Sequence, residues 1–92
     1  MIKSFKDKST EALFGDENVP KLRNIERVAR RKLLYLNQAR TLDDLKVPPG
    51  NHLEALKGDR KGQHSIRIND QYRLCFVWRD GEAIEVEITD YH

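Results

Sequence analysis

The sequence predicts an α+β domain in which N-terminal helices pack on one face of a small antiparallel β-sheet. Between residues 20 and 39, apolar residues recur at three- and four-residue steps, which is typical of an amphipathic helix. After residue 51, three segments alternate apolar and polar residues, which is typical of half-buried strands. Because the chain has only 92 residues, we expect a single domain over residues 1–92.

The first half of the chain carries the helical patterns. Alternation predicts a short strand over Ile2–Phe5, and a short helix follows over Ser9–Phe14, ended by Gly15. A long helix is predicted over Pro20–Ala39, since proline is tolerated in the first turn of a helix. Thr41–Asp44 resembles a capping box and starts one further helical turn.

The second half predicts an edge strand at His52–Leu56 and then three longer strands. The apolar face of the three longer strands comprises His64, Ile66, Ile68, Tyr72, Leu74, Phe76, Trp78, Ile84, Val86 and Ile88. Opposed residues must face the same side of the sheet, so we expect loops of odd length. The three-residue loop Asn69–Gln71 places Arg67 opposite Arg73. The three-residue loop Arg79–Gly81 pairs Phe76 with Ile84 and Leu74 with Val86, and brings Glu87 beside Arg73.

Composition excludes several classes of protein. Apolar residues make up 38% and charged residues 35%, and no apolar run approaches the roughly 18 residues of a membrane span. The N-terminus lacks an apolar signal segment, and the single Cys75 cannot form an internal disulfide, so we expect a cytoplasmic protein with no membrane partner. No Cys/His spacing fits zinc and no glycine-rich phosphate loop occurs, so we expect neither metal nor cofactor.

Charge is unevenly distributed along the chain. Residues 47–79 carry six basic and three acidic residues, whereas residues 80–92 carry five acidic residues and no Lys or Arg. A basic middle beside an acidic strand suggests a local anion site. Arg67 and Arg73 could form a clamp for a phosphate, because arginine matches phosphate bidentately. The alternative is a surface salt-bridge row of Arg67, Glu87 and Arg73, which would contribute little stability.

The predicted last strand ends in Asp90-Tyr91-His92. His92 can carry a proton near neutral pH, Tyr91 can donate a hydrogen bond or stack on a base, and Asp90 can orient His92 or contact substrate. A solvated tail is the alternative for these residues.

This combination suits RNA cleavage without a metal. The reaction needs help to remove the 2′-OH proton, an acid for the leaving 5′ oxygen and fixed cations for the phosphate charge. The candidate cations are Lys57, Arg60, Arg67 and Arg73. Because DNA lacks the 2′-OH, such a site would select RNA. Glu54 could rim the site, although an exposed edge-strand carboxylate is the simpler interpretation.

Four segments together resemble the HigB-type toxins of the RelE/ParE superfamily. They are Leu56–Gly62, Ser65–Arg67, Gln71–Phe76 and Asp90–His92, and the resemblance covers nearly the whole chain. It implies a RelE-like microbial ribonuclease fold and a type II toxin that cleaves mRNA in the ribosomal A site. It also implies a HigA-type helix-turn-helix antitoxin, with operator DNA contacted only indirectly, through that antitoxin.

The resemblance assigns functional positions by match. Asp90, Tyr91 and His92 fall on the family's C-terminal functional residues, and Lys57 and Arg73 fall on its basic site positions. Some members carry a histidine where this chain has Glu54, so reduced toxicity is a hypothesis.

Two alternatives act by binding alone. One is a toxin of the same fold that inhibits DNA gyrase. The other is a module that interferes with ribosome assembly through a basic helix surface of Arg27, Arg30 and Arg31.

Overall fold

The computed structural model describes residues 1–90 and has the predicted α+β architecture. Two α-helices, α1 (Lys8–Phe14) and α2 (Glu26–Gln38), pack against one four-stranded antiparallel sheet. Its strands are β1 (Glu54–Ala55), β2 (Gln63–Arg67), β3 (Tyr72–Arg79) and β4 (Glu82–Asp90), and they lie side by side in chain order. Within residues 1–90, no helix is long and apolar enough to cross a membrane.

Helix α1 is fixed at its start and to the sheet by polar side chains. Asp7 caps the helix by accepting a hydrogen bond from the Thr10 backbone N–H at 3.2 Å. The Thr10 hydroxyl, fully buried, accepts a hydrogen bond from the Ile88 N–H of β4 at 3.0 Å. The short helix predicted at this position is confirmed.

Helix α2 begins later than the sequence predicts. Pro20–Leu22 forms a 3₁₀ turn, and the α-helix starts only at Glu26. Ile25, at φ −118° and ψ 0°, lies outside the helical region while its side chain is buried in the core. The prediction of a continuous helix was therefore wrong for residues 20–25, where the apolar residues Leu22 and Ile25 are buried from a 3₁₀ turn and a non-helical residue.

The core lies between α2 and the inner face of the sheet. Ala29, Leu33 and Leu36 of α2 are fully buried, as are Leu74 and Phe76 of β3. Burial of each large side chain contributes roughly 1.5–3 kcal/mol. Since alternate residues of β3 face the helices, the other residues of that strand define the outer face of the sheet.

The predicted register of β2 and β3 is confirmed. Ile66 pairs with Leu74 and Arg67 pairs with Arg73. The Asn69 side chain closes the loop by accepting hydrogen bonds from the backbone N–H groups of Gln71 at 2.8 Å and Tyr72 at 2.7 Å.

The predicted register of β3 and β4 is wrong. A two-residue turn, Asp80-Gly81, joins the strands with positive φ at both residues (52° and 77°). Ile84 therefore pairs with Val77 rather than with Phe76.

A β-bulge in β4 then restores the buried alternation. Cys75 pairs with Glu87 and Val77 with Ile84, so two residues, Glu85 and Val86, oppose Phe76 alone. The turn and the bulge together bring Leu74 opposite Ile88 instead of Val86, and Arg73 opposite Thr89 instead of Glu87. The turn alone places Ala83, rather than Ile84, in the core.

Two predicted strands are shorter than expected. Ile2 and Phe5 form only isolated parallel bridges, with Ala83 and Val86 of β4. The edge strand is reduced to Glu54–Ala55, since His52 adopts a left-handed conformation at φ 45° that cannot continue a strand.

A buried polar cluster joins α2 to the segment before β1. The Lys32 ammonium, almost fully buried, donates to Asn51 Oδ1 at 2.5 Å. The Asn51 amide in turn donates to the carbonyls of Leu45 at 3.1 Å and Val47 at 3.4 Å. Burial, followed by the charges of Arg31 and Arg67, lowers the pKa of Lys32.

Candidate functional site on the outer sheet face

Arg73 lies on the outer face of β3, and its guanidinium is held by residues of the neighbouring strand and loop. Nε donates to Ser65 Oγ at 2.7 Å, and Nη2 donates to the His52 carbonyl at 2.6 Å. Nη1 lies 3.6 Å from Glu54 Oε1 on the edge strand. Only 12% of the Arg73 side chain is exposed, so this cation has a defined position.

Arg60 reaches across the outer face from the 3₁₀ turn Gly58–Arg60. Its Nη1 donates to Glu87 Oε1 of β4 at 2.7 Å and to Gln63 Oε1 of β2 at 3.0 Å. Glu87 is 15% exposed and also lies 4.0 Å from the ammonium of Lys6. The Arg60–Glu87 pair therefore fixes the 58–62 loop over the sheet.

Lys57 immediately precedes this turn and is exposed. No ion pair of Lys57 forms with any residue between Met1 and Asp90. The glycines that follow it, Gly58 and Gly62, have φ of 62° and 95°, a conformation that strongly favours glycine. The loop thus presents an exposed ammonium immediately before the turn that carries Arg60.

Arg67 and Arg73 are opposed across the strands, as predicted, but their guanidinium groups turn to different partners. Arg67 forms an ion pair with Asp70 in the hairpin loop, whereas Arg73 contacts β1 and β2. The predicted row of Arg67, Glu87 and Arg73 is wrong, because the bulge moves Glu87 away from Arg73 and Glu87 pairs with Arg60.

Glu54 is 54% exposed and belongs to the same cluster through its contact with Arg73. In that position the carboxylate partly neutralises the cation predicted to meet phosphate. The prediction that Glu54 weakens the site is untested.

Asp90 ends the described part of β4, opposite Tyr72. Its Oδ2 accepts a hydrogen bond from Gln71 Nε2 at 3.1 Å. Asp90 also lines a cavity of about 240 Å³ with Tyr72, Ile88 and Thr10. Tyr91 and His92, which the sequence assigns to proton transfer and base contact, lie outside the described residues.

Three further residues with reactive or charged side chains are held by packing and hydrogen bonds. His64 stacks on Phe76 on the core side, with ring centroids 6.4 Å apart, as expected for a packed histidine. Burial raises the pKa of the Cys75 thiol, which disfavours the reactive thiolate. Arg30 hydrogen-bonds the carbonyls of Leu13 at 3.0 Å and Glu17 at 2.8 Å, so it joins the two helices rather than forming a free basic surface.

Sequence reasoning missed the groups that hold the arginines. Ser65 occupies an ordinary polar position in an alternating strand, and the His52 contact comes from a backbone carbonyl that has no sequence signature. Gln63 could have been noticed because it lies three residues from Arg60, on the strand that follows the charged loop.

The described residues contain no group of three or more His, Cys, Asp or Glu side chains arranged to hold a metal ion. The outer face is instead built around cations fixed by hydrogen bonds. Such an arrangement can bind an anion and stabilise negative charge.

Comparison with solved structures identifies the fold. The chain aligns over its full length with the YoeB-YefM complex from Staphylococcus aureus, covering 98% of that chain with a TM-score of 0.61 and 18% identity. It also aligns with YafQ from Escherichia coli, covering 98% of this chain and 93% of that one, with a TM-score of 0.55 and 12% identity. The fold is that of the RelE-like toxins.

Sequence comparison gives the family. A family model described as the RelE-like toxin HigB of type II toxin–antitoxin systems matches residues 3–92. Toxin HigB-1 of Vibrio cholerae serotype O1 is 45% identical over 93 residues, covering 99% of this chain and 98% of the relative. Endoribonuclease HigB of Proteus vulgaris is 33% identical over 94 residues, covering all of both chains. This chain belongs to the HigB-like toxin family, which implies an antitoxin partner.

Proposed function

We propose that this toxin is a ribosome-dependent endoribonuclease that cleaves mRNA in the ribosomal A site. The relative from Proteus vulgaris is named an endoribonuclease, which supports the reaction class. Ribosome dependence and the A site come from the sequence resemblance. The cognate antitoxin would be a HigA-type helix-turn-helix protein through which the complex reaches operator DNA. The site of action would be the cytoplasm, where ribosomes and mRNA are found.

The proposed chemistry is attack of the 2′-OH on the adjacent phosphorus, with departure of the 5′ oxygen. His92 would carry a proton, Asp90 would orient it, and Tyr91 would donate a hydrogen bond or stack on a base. Each acid–base contribution is worth about 10²–10⁴-fold in rate. These groups and the cations suffice in principle, so we propose a metal-independent reaction without a cofactor.

The observation that supports this proposal best is the fixed pair of guanidinium groups on the outer face. Arg73 donates hydrogen bonds to Ser65 of β2 and to the His52 carbonyl in the loop before β1, and Arg60 donates to Gln63 of β2 and Glu87 of β4. Cations held in place before substrate arrives stabilise developing phosphate charge without a reorganisation cost in the transition state. Lys57, with a flexible stem, would follow the phosphate as its charge changes, while Arg67 would contact the flanking RNA backbone.

The alternative that interferes with ribosome assembly loses support from the contacts of Arg30. A basic helix surface that includes Arg30 is incomplete, since Arg30 is bound to Leu13, Glu17 and Glu26. Arg27 and Arg31 remain exposed on α2 and would carry any such surface.

The proposal can be tested by brief induction of the toxin followed by primer extension on a reporter mRNA. The wild type should produce cuts at defined codon positions, and these should vanish when translation is blocked. Deletion of His92 should abolish the cuts. His52→Asn is the matched control, because it removes a different imidazole but keeps the backbone carbonyl that contacts Arg73, and asparagine tolerates the positive φ at residue 52. Growth arrest with intact mRNA would refute the nuclease proposal and favour inhibition by binding.

A further inference from the structure

Ser65 has an unusual environment for a polar strand residue. It lies in the middle of β2, between Glu54 of β1 and Cys75 of β3, and it is fully buried. Its hydroxyl accepts a hydrogen bond from Arg73 Nε at 2.7 Å. A small apolar residue would fill the same space, so packing alone does not explain the hydroxyl.

Arg73 is constrained at two different nitrogen atoms. Ser65 contacts Nε, next to the side-chain stem, and the His52 carbonyl contacts Nη2, at the far end of the group. A guanidinium is planar and carries five donors in a fixed geometry. Contacts at both ends of that plane therefore fix the orientation of the whole group.

Loss of the Ser65 contact would leave a competing attraction. Glu54 Oε1 lies 3.6 Å from Arg73 Nη1 and is half-exposed, so its carboxylate can move with the guanidinium. Without a partner for Nε, the group can rotate toward that carboxylate. A displacement of about 1 Å at a catalytic group costs up to about 10²-fold in rate.

We infer that Ser65 is a positioning residue that holds Arg73 in the orientation required for phosphate binding during RNA cleavage. The inference rests on the proposed function, since it concerns the role assigned there to Arg73. Ser65 itself touches no substrate. It acts through its hydrogen bond to Nε of Arg73, which keeps the guanidinium from rotating toward the Glu54 carboxylate.

The test measures cleavage of a reporter mRNA on translating ribosomes by the purified full-length toxin, with the concentration of ribosome–mRNA complex varied. Ser65→Ala should lower the maximal rate by about 10- to 100-fold, with a smaller change in the half-saturating concentration. Ser65→Thr keeps a hydroxyl and suits a β-strand, so it should restore most of the rate. Ser4→Ala is the matched control, because it removes another serine hydroxyl that accepts one hydrogen bond, from the Glu85 N–H at the other side of the sheet.

A double-mutant cycle separates positioning from a general structural effect. If Ser65 acts only through Arg73, Ser65→Ala should cause no further loss of rate in an Arg73→Ala background. Additive losses would overturn the inference, as would wild-type cleavage by Ser65→Ala when Arg73→Ala is impaired. In both cases the proposed function would stand. Wild-type cleavage by Arg73→Ala would instead refute the role that the proposed function gives to Arg73.

Discussion

Asn51→Ala should be one of the most destabilising single substitutions in this protein. Asn51 is fully buried, and its side chain makes three hydrogen bonds, to Lys32 and to the carbonyls of Leu45 and Val47. Removing its amide leaves the buried Lys32 ammonium without its acceptor and the Leu45 carbonyl without a donor. Val47 is exposed, so water can replace the third contact. Unsatisfied buried groups cost about 1–3 kcal/mol each, and more when charged, which gives a total of about 3–5 kcal/mol.

Urea denaturation followed by tryptophan fluorescence measures this loss. Since small domains unfold with slopes of about 1–3 kcal/mol per molar urea, the midpoint should fall by at least about 1 M. Asn37→Ala is the matched control. Asn37 accepts a single hydrogen bond, from the Ile2 N–H at 2.9 Å, so its loss should cost only about 1 kcal/mol. If Asn51→Ala is no more destabilising than Asn37→Ala, the assignment of this cluster as a main support of the fold is refuted.

Lys32 adds a pH dependence with a definite sign. Its folded-state pKa lies below the usual 10.5, because burial disfavours the charged form. In the interval between the folded pKa and 10.5, the unfolded chain binds more protons than the folded one. Stability should therefore rise with pH across that interval, and this rise should be absent in Lys32→Met measured under the same conditions.

Three further predictions concern the sheet. Glu54→His should increase growth arrest, because it removes the carboxylate beside Arg73 and adds a proton carrier. Glu54→Gln removes the carboxylate alone and so separates the two effects. No increase in growth arrest with Glu54→His would refute the hypothesis of a weakened site. Glu85 in the bulge has a φ of 53°, which is strained for any residue except glycine. Glu85→Gly should therefore raise the free energy of unfolding, measured by urea denaturation, by about 0.5–1 kcal/mol. An equal gain with Glu85→Ala would contradict this explanation. Cys75 should resist alkylation at pH 8 in the folded protein and react readily in the urea-unfolded protein, because burial raises the pKa of its thiol. Rapid alkylation of the folded protein would contradict this prediction.

The sequence predicted most of the architecture because burial follows simple periods. The apolar stripe of α2 and the alternation in β2 and β3 each admit one way to bury their large side chains. β4 is different, because its apolar residues Ala83, Ile84, Val86 and Ile88 do not all lie on one face of a regular strand. The prediction assumed regular alternation with Ile84, Val86 and Ile88 facing the core, and it therefore required a loop of odd length. The protein instead uses a two-residue turn and changes phase at the Glu85 bulge, which strict alternation cannot express.

The candidate site was predictable at the level of charge but not of geometry. Arg60 and Arg73 were singled out as cations, yet their partners depend on contacts that emerge only in three dimensions. Glu87 meets Arg60 because the bulge shifts β4, and His52 meets Arg73 through a carbonyl directed by a left-handed residue. The pairing of Arg67 with Asp70 likewise depends on the shape of the hairpin loop.

The contacts on the outer face fit the proposed function better than they fit a role in stability. Replacing a partly buried ion pair with apolar residues of similar volume is often neutral or stabilising, so Arg60 and Glu87 are an inefficient way to stabilise a small domain. The same holds for Ser65 beneath Arg73, because the hydrogen bond of its buried hydroxyl contributes little net free energy to folding. What these contacts do provide is a fixed direction for two guanidinium groups on a surface that would otherwise leave long side chains free to rotate. A protein that only had to fold would gain from apolar residues here, whereas a protein that must meet phosphate at set positions needs this arrangement.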